Sequence, residues 1–178
     1  MRDIRFGNSL IGVIVLLTAV TSAQTQPSRN TAAAETLPYA RWVNQDVVYI
    51  ISDQERAAFE RLATNEERDM FVQQFWQRRN PASGTSINAF KVEHYRRIAF
   101  ANEHFASSRP GWQTDRGHIY IVYGPPDEME AHPAEAGTHF PSQVWMYHHV
   151  EGIGDNLTIS FVDRTGTGDY TLAPGNPR

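Results

Sequence analysis

Apolar and polar positions follow helical spacing through the first half of the chain. Ser52 with Glu55, and Thr64 with Glu67, have the spacing of capping boxes, in which a hydroxyl and a carboxylate together begin a helix. Aromatic and aliphatic residues three or four positions apart follow each box. The pattern predicts helices that begin at these boxes, the second of which ends at Pro81 because proline cannot continue a helix.

A longer helix is predicted from about Asn88 to Ser107. Its apolar stripe consists of Phe90, His94, Ile98, Ala101 and Phe105, widened by Val92, Tyr95 and Ala99. Upstream, the apolar run VVYII at residues 47–51 fits a strand or a helix equally well, since periodicity cannot separate the two over so short a segment.

After Pro110 the pattern changes to runs rich in β-branched and aromatic residues. Strands are predicted at HIYIVYG (residues 118–124), QVWMYHH (143–149) and LTISFVD (157–163), with a last short one at YTL (170–172). Asp127 is predicted to cap a helical turn that contains Glu128 and Glu130. Helices followed by strands predict an α+β fold, with N-terminal helices packed on one face of a small antiparallel β-sheet.

The first residues carry the signals of export. Arg2 and Arg5 precede the apolar run from Leu10 to Val20, and small residues lead up to Ala23. This order predicts a signal peptide over residues 1–23, because the run is shorter than the roughly 20 apolar residues of a membrane span. We expect cleavage after Ala23, a flexible leader over 24–37, one domain over 38–173 and a loose tail over 174–178. The mature protein is then periplasmic or secreted, without a membrane span.

Composition narrows the classes of function. A formal net charge of −4 argues against nucleic acid as a partner, since such proteins need basic surfaces that neutralise phosphates. The absence of cysteine excludes disulfides, thiol catalysis and thiolate metal sites. The chain has 4 Trp, 7 Tyr and 9 Phe, which is more than a minimal core needs, and aromatic side chains also favour protein interfaces.

Several stretches of the chain resemble one known family. They are GWQTD (111–115), FWQRRNP (75–81), FKVEHYRRIAFANEHF (90–105), DRGHIYIVYGPPDE (115–128) and FVDRTGTGDY (161–170). These stretches are similar to the GWxTD domain family, known from exported bacterial proteins, although Asn80 stands where the family's Asp-Pro pattern has aspartate. The resemblance spans roughly Trp42 to Leu172. It implies an exported protein and brings no established reaction with it.

The stretch around the GWQTD motif carries the candidate site. Its residues can serve the fold alone, because Thr114 and Asp115 can bond nearby backbone amides and Gly117 permits a close approach. The alternative is a binding surface made of Trp112, Thr114, Asp115, Arg116, Asp127 and Glu128. It requires the two loops to meet at one end of the sheet. Carboxylates that meet there could also act as general acid and base, which keeps a cell-envelope hydrolase using Asp115, Asp127 or Glu128 as an alternative.

No metal site and no cofactor is predicted. A zinc site from His132, His139, Glu128 and Glu130 is weighed and set aside, because no histidine pair has the spacing of a zinc-binding helix. His94 lies on the apolar stripe and is expected to be a hydrogen-bonded core histidine. The segment DRTGTGD (163–169) resembles the front of a calcium loop but lacks the final glutamate, so a β-turn with glycine is predicted there.

Two arginine pairs, Arg78–Arg79 and Arg96–Arg97, admit two interpretations. They form a solvated face with salt bridges to helical carboxylates, or they clamp the loops of Asp115, Asp127 and Asp163 and so join the helices to the sheet. The sequence contains no G-x-S-x-G, Walker or G-x-G-x-x-G pattern, so it offers no recognisable catalytic motif.

The sequence therefore favours a non-enzymatic binding or assembly module with a protein partner in the cell envelope. A hydrolase is one alternative. A small-ligand sensor, with its ligand at the junction between helices and sheet, is another.

Overall fold

A computed structural model describes residues 38–80, 82, 84, 86–134 and 140–175. A π-helix spans Trp42–Asp46, and the α-helices are α1 (Asp53–Glu60), α2 (Asn65–Arg78), α3 (Ala89–His104) and α4 (Asp115–Tyr123). A 3-10 helix, Gly111–Gln113, directly precedes α4. No helix within the described ranges has the length and apolar character of a membrane span. The predicted signal peptide and leader, and Pro81 as a helix stop, lie outside the described residues.

The helix starts follow the sequence, whereas the apolar stripe of α3 is narrower than predicted. Both capping boxes are confirmed, at Ser52 with Glu55 and at Thr64 with Glu67. On α3, His94, Ala101 and Phe105 are buried. Phe90 and Val92, near the N-terminal end of the helix, are exposed, and so is Ala99 further along.

The four strands form one antiparallel sheet in the order β1-β2-β3-β4. They are β1 (Glu128–His132), β2 (Ser142–Val150), β3 (Gly154–Val162) and β4 (Thr171–Leu172). The strands predicted at 143–149, at 157–163 and at the final YTL are therefore confirmed. The helices lie mostly before the sheet in the chain, which confirms the α+β class.

The strand predicted at HIYIVYG is wrong, because this run forms helix α4. Thr114 caps the helix, with its Oγ1 accepting the N–H of Gly117 at 3.0 Å. Three consecutive residues, Ile119, Tyr120 and Ile121, are buried, so α4 is enclosed on more than one side. A helix buried in this way carries a continuous apolar run, which periodicity cannot distinguish from a strand.

Two smaller predictions are also wrong. The run VVYII at 47–51 is neither strand nor helix but a series of turns in which the N–H groups of Ile50 and Ile51 bond the carbonyl of Val47. Asp127 does not cap a helical turn, because Glu128 and Glu130 belong to strand β1, which pairs with β2.

Two apolar clusters hold the fold. The first joins α3 and α4 to the inner face of the sheet; its buried members from the sheet are Trp145, Tyr147, Val150, Ile159 and Phe161. The second joins the π-helix, α1 and α2 around Trp42, Phe59, Phe75 and Trp76. Tyr95 of α3 packs on the second cluster, so α3 lies between the clusters and contacts both.

Glu55 connects α1 to the end of α2. Its carboxylate accepts bonds from Arg78 at 3.0 Å and Arg79 at 2.7 Å, while it also serves the capping box of α1. The hydrogen bond from Arg79 is the main reason why the pKa of Glu55 is lowered to about 2, despite an opposing effect of burial.

We expect Glu55→Gln to lower the free energy of unfolding at pH 7 by about 1 kcal/mol, since part of this ion pair is screened by solvent. The lowered pKa means that the charged carboxylate stabilises the fold above an unfolded-state pKa of about 4.3, and that this contribution is lost as the pH falls toward 2. Urea unfolding at pH 7 and at pH 2.5 measures both. Glu60→Gln is the control, because Glu60 is an exposed residue of the same helix. If wild type and Glu55→Gln differ in unfolding free energy as much at pH 2.5 as at pH 7, the charge of Glu55 does not cause the effect.

Candidate functional site

The first part of the GWQTD motif joins α3 to α4 and brings their backbones close together. Gly111 is buried against α3, where an added Cβ would lie 1.8 Å from the carbonyl oxygen of Ala101. Thr114 is 2 % exposed, and its hydroxyl donates to the carbonyl of Gly111 at 2.8 Å while it accepts the N–H of Gly117. The architectural role of these residues is therefore visible in their contacts.

Trp112 and Asp115 extend the same junction to distant segments. The backbone N–H of Trp112 donates to Oδ1 of Asn102 in α3 at 3.0 Å, and the backbone carbonyl of Trp112 accepts a bond from the hydroxyl of Tyr49 at 2.9 Å. Asp115 accepts the N–H of Leu172 in β4 at 2.7 Å. Both side chains are only partly exposed.

Arg116 is the buried cation of the site, at 9 % exposure. Its Nη2 donates to the carbonyl of Gly168 at 2.9 Å and its Nη1 to Oε1 of Gln143 at 3.4 Å. The guanidinium lies 4.3 Å from the ring centre of Tyr170 and 5.1 Å from that of Phe105. Burial lowers the pKa of Arg116, but a guanidinium stays charged at neutral pH.

The structure brings Asp127 and Glu128 together and places Asp115 elsewhere. Asp127 accepts the N–H of His148 at 2.6 Å, and Glu128 lies 3.3 Å from Nε2 of the same histidine. Asp115 begins α4, whereas Asp127 follows the end of α4, and that helix of nine residues is about 13 Å long. The three carboxylates therefore do not meet at one end of the sheet, and only Asp127 and Glu128 remain neighbours.

Asp163 anchors the DRTGTGD segment. Its carboxylate, 2 % exposed, accepts the N–H groups of Thr165, Gly166, Thr167 and Gly168, with the shortest bond, 2.7 Å, from Gly168. Burial alone would raise the pKa of Asp163, but the bonds from Gly168 and Thr165 outweigh it and lower the pKa. The predicted glycine turn is thus organised by one carboxylate.

The arginine pairs bind helical carboxylates, as the salt-bridged interpretation expects. Arg96 and Arg97 both bond Glu93, at 2.7 and 2.9 Å. The other interpretation, in which the arginines clamp the aspartate loops, is wrong. Arg97 bonds the backbone of α4 instead, with its Nη1 donating to the carbonyls of Ile121 and Val122 at 3.3 and 3.2 Å.

His94 has a structural role in the core. His94 is 4 % exposed and bonds the carbonyl of Asp46, which confirms the expected core histidine, and burial lowers its pKa. Within the described ranges, histidine and carboxylate side chains form no cluster suited to a metal ion. His139 lies outside those ranges.

A cleft of about 510 Å³ lies beside Arg116, at the junction of helices and sheet. Side chains of α3 and α4 pack against the buried residues of β2 and β3, whereas β1 is exposed along its whole length. Met129 of β1 pairs with the buried Trp145 and yet is 58 % exposed. The lining of this helix–sheet cleft is Phe100, His104, Phe105, Arg116, Tyr120, Pro125, Pro126, Asp127, Met129, Gln143 and Trp145.

Of this lining, only Arg116 and Asp127 are among the site residues predicted from the sequence. The wrong strand at 118–124 hid Tyr120, and the wrong helical turn at Asp127 hid Met129. The alternation in EMEAH at residues 128–132 was the available signal, because it places Met129 and Ala131 on one face of a strand.

These contacts define an α+β domain in which a contiguous motif joins α3, α4 and the last strand, next to an aromatic cleft with a buried cation. The chain belongs to the GWxTD domain family, whose model matches residues 18–173. Comparisons with curated proteins and with solved structures give no match.

Proposed function

We propose that the domain is an exported, non-enzymatic binding or assembly module, and that a partner polypeptide of the cell envelope docks in the helix–sheet cleft. The observation that carries this proposal is the cleft itself. Its volume of about 510 Å³ lies within the range of ligand-binding sites, and its walls include the aromatic side chains of Phe100, Phe105, Tyr120 and Trp145.

The position of β1 supports a polypeptide as the partner. β1 is an edge strand in the order of the sheet, and Glu128, Met129 and Glu130 are all exposed. An edge strand offers backbone N–H and carbonyl groups on its free side, which extended peptides use in strand addition. A partner that runs along β1 would place alternate side chains in the cleft.

The site does not favour the hydrolase alternative. General acid–base hydrolysis requires two carboxylates on either side of one bond, and Asp127 and Glu128 instead bond His148. The export of the module rests on the signal peptide predicted over residues 1–23 and on the family to which the chain belongs.

Site-specific photocrosslinking in the native cells tests the proposal. A photoreactive phenylalanine analogue at position 129 is expected to yield a discrete adduct with one polypeptide. The same analogue at position 70 is the control, because Met70 on α2 is 55 % exposed and lies outside the cleft. Equal adducts at both positions, no adduct at position 129, or turnover of envelope glycan by the pure protein would overturn it.

Met129→Glu is expected to reduce capture of that polypeptide at least tenfold, because it places a charge on an apolar contact surface. The melting temperature should be unchanged, since the side chain is 58 % exposed. Met70→Glu is the matched control and should retain full capture. Loss of capture in both variants would contradict docking in the cleft.

A further inference from the structure

Arg116 has more hydrogen-bonding capacity than its neighbours use. Its acceptors among the described residues are the carbonyl of Gly168 and, at the longer distance of 3.4 Å, the side chain of Gln143. Its Nε is buried without a protein partner in the described ranges. A guanidinium carries more N–H groups than these two acceptors occupy.

The partners of this cation are neutral or aromatic. The carbonyl of Gly168 and the amide of Gln143 carry no net charge, and the rings of Tyr170 and Phe105 contribute only their π-faces. Asp163 and Asp169 attract the guanidinium from a distance. Asp163 is already occupied by its own loop, and Asp169 lies 3.5 Å from Arg109. A buried charge without a bonded counter-charge is costly. An anion that enters the cleft and pairs with the guanidinium is therefore stabilised more strongly than it would be at an exposed arginine.

The rest of the lining is suited to an apolar group. Phe105, Tyr120 and Trp145 belong to one aromatic cluster, with ring centres 5.5 to 6.4 Å apart. The indole N–H of Trp145 is, like Nε of Arg116, buried without an acceptor among the described residues. Both groups are hydrogen-bond donors, so this wall of the cleft suits an acceptor better than another donor.

Asp127 is the only carboxylate in the lining of the cleft as described. It accepts the backbone N–H of His148 at 2.6 Å and stands 3.9 Å from the ring of the same residue. It lies beyond the end of α4, whereas Arg116 is in the first turn. The cleft is therefore positive at the start of α4 and negative at the opposite end, which gives a bound chain a direction.

We infer that the helix–sheet cleft binds the C-terminus of the partner polypeptide, with the terminal carboxylate on Arg116 and an apolar last side chain against the aromatic wall. The inference rests on the proposed function. Arginine pairs with carboxylates through two parallel hydrogen bonds, which fixes both the charge and the orientation of the ligand. The preceding residues of the partner then run toward Met129 and Asp127.

Two peptide libraries distinguish this mode from any other docking in the cleft. One is a set of hexapeptides with five random positions and a final Phe or Leu that bears a free carboxylate; the other has the same peptides with a C-terminal amide. Binding of each library to the intact domain is measured by fluorescence polarisation at low and moderate salt. The acid library is expected to bind at least tenfold more tightly, with the difference smaller at higher salt.

Variants of the cation check the assignment. Arg116→Gln should bring acid and amide peptides to equal affinity, and Arg116→Lys should retain part of the preference because it keeps the charge without the planar fork. If these variants do not fold, the comparison of acid and amide in the native domain still decides the matter. Equal binding of the two libraries, or no binding of either, overturns the inference. Free apolar acids that bind as tightly as the peptides would also overturn it in favour of a small-ligand site.

The two proposals fail separately. A crosslink at position 129 to an internal segment of a partner would uphold docking in the cleft and reject the C-terminal mode. If the domain prefers acid peptides but gives no crosslink in cells, the assembly role is rejected and the binding of a carboxylate by Arg116 is upheld.

Discussion

Replacing Gly117 with alanine is expected to destabilise the domain by at least about 3 kcal/mol, although alanine ordinarily favours a helix over glycine. An added Cβ at this position would lie 1.9 Å from the carbonyl oxygen of Gly111 and 2.8 Å from its carbon. Both atoms are backbone, so relief of the contact requires α4 to move away from the preceding turn. Denaturant unfolding followed by circular dichroism measures the loss.

The control for this substitution is Gly152→Ala. Gly152 has a φ of +78° and nothing within 4 Å of an added Cβ, so its cost is conformational alone, about 1 kcal/mol. Glycine is needed at position 117 because the backbone of Gly111 leaves no room for a Cβ, and at position 152 because φ is positive. Equal losses in the two variants would show that α4 does not approach Gly111 as closely as the structure has it.

Asp163→Asn is the second substitution with a large expected effect, about 2 to 4 kcal/mol at pH 7. The asparagine keeps the size of the side chain but presents an NH₂ group to N–H donors that now meet a carboxylate. Thr165, Gly166, Thr167 and Gly168 all donate to that carboxylate. Thr167→Ala is a useful control, since it leaves the backbone donors in place.

The effect of Asp163→Asn should depend on pH. Because the folded pKa of Asp163 lies below the unfolded value of about 3.9, the charged carboxylate stabilises the fold fully above that value. The contribution is lost as the pH falls through the folded pKa. The difference in unfolding free energy between wild type and variant should therefore be constant from pH 5 to 8 and shrink below pH 4. If the difference persists at pH 2, the effect comes from the shape of the side chain and not from its charge.

Local signals predicted the helix starts and the central strands correctly because short-range contacts determine them. The capping boxes at Ser52 and Thr64 bond within the same turn, and β2 and β3 carry runs of β-branched and aromatic residues. Helix α4 was mistaken for a strand because burial on several sides removes the polar face that would reveal a helix. The helical signal that the sequence did offer was Thr114, a residue suited to an N-cap, directly before the run.

The candidate site was predictable only in part, for a related reason. Arg116 and Asp127 stand in the stretch that the sequence singled out, but their neighbours in the cleft come from α3 and from β1 and β2. Met129 meets Trp145 through strand pairing across the β1–β2 connection. Such a pairing depends on register, and register is determined by the assembled sheet.

The bonds of the GWQTD motif also set the smallest piece of this chain that can fold by itself. Trp112 requires Tyr49 from one side of the sequence, and Asp115 requires Leu172 from the other. A truncation that removes either partner leaves a partly buried acceptor of the motif without its donor. Because the second apolar cluster also needs Trp42, autonomous folding requires at least residues 42–172 in one fragment, and a fragment that stops after β3 should be less stable than one that ends after β4.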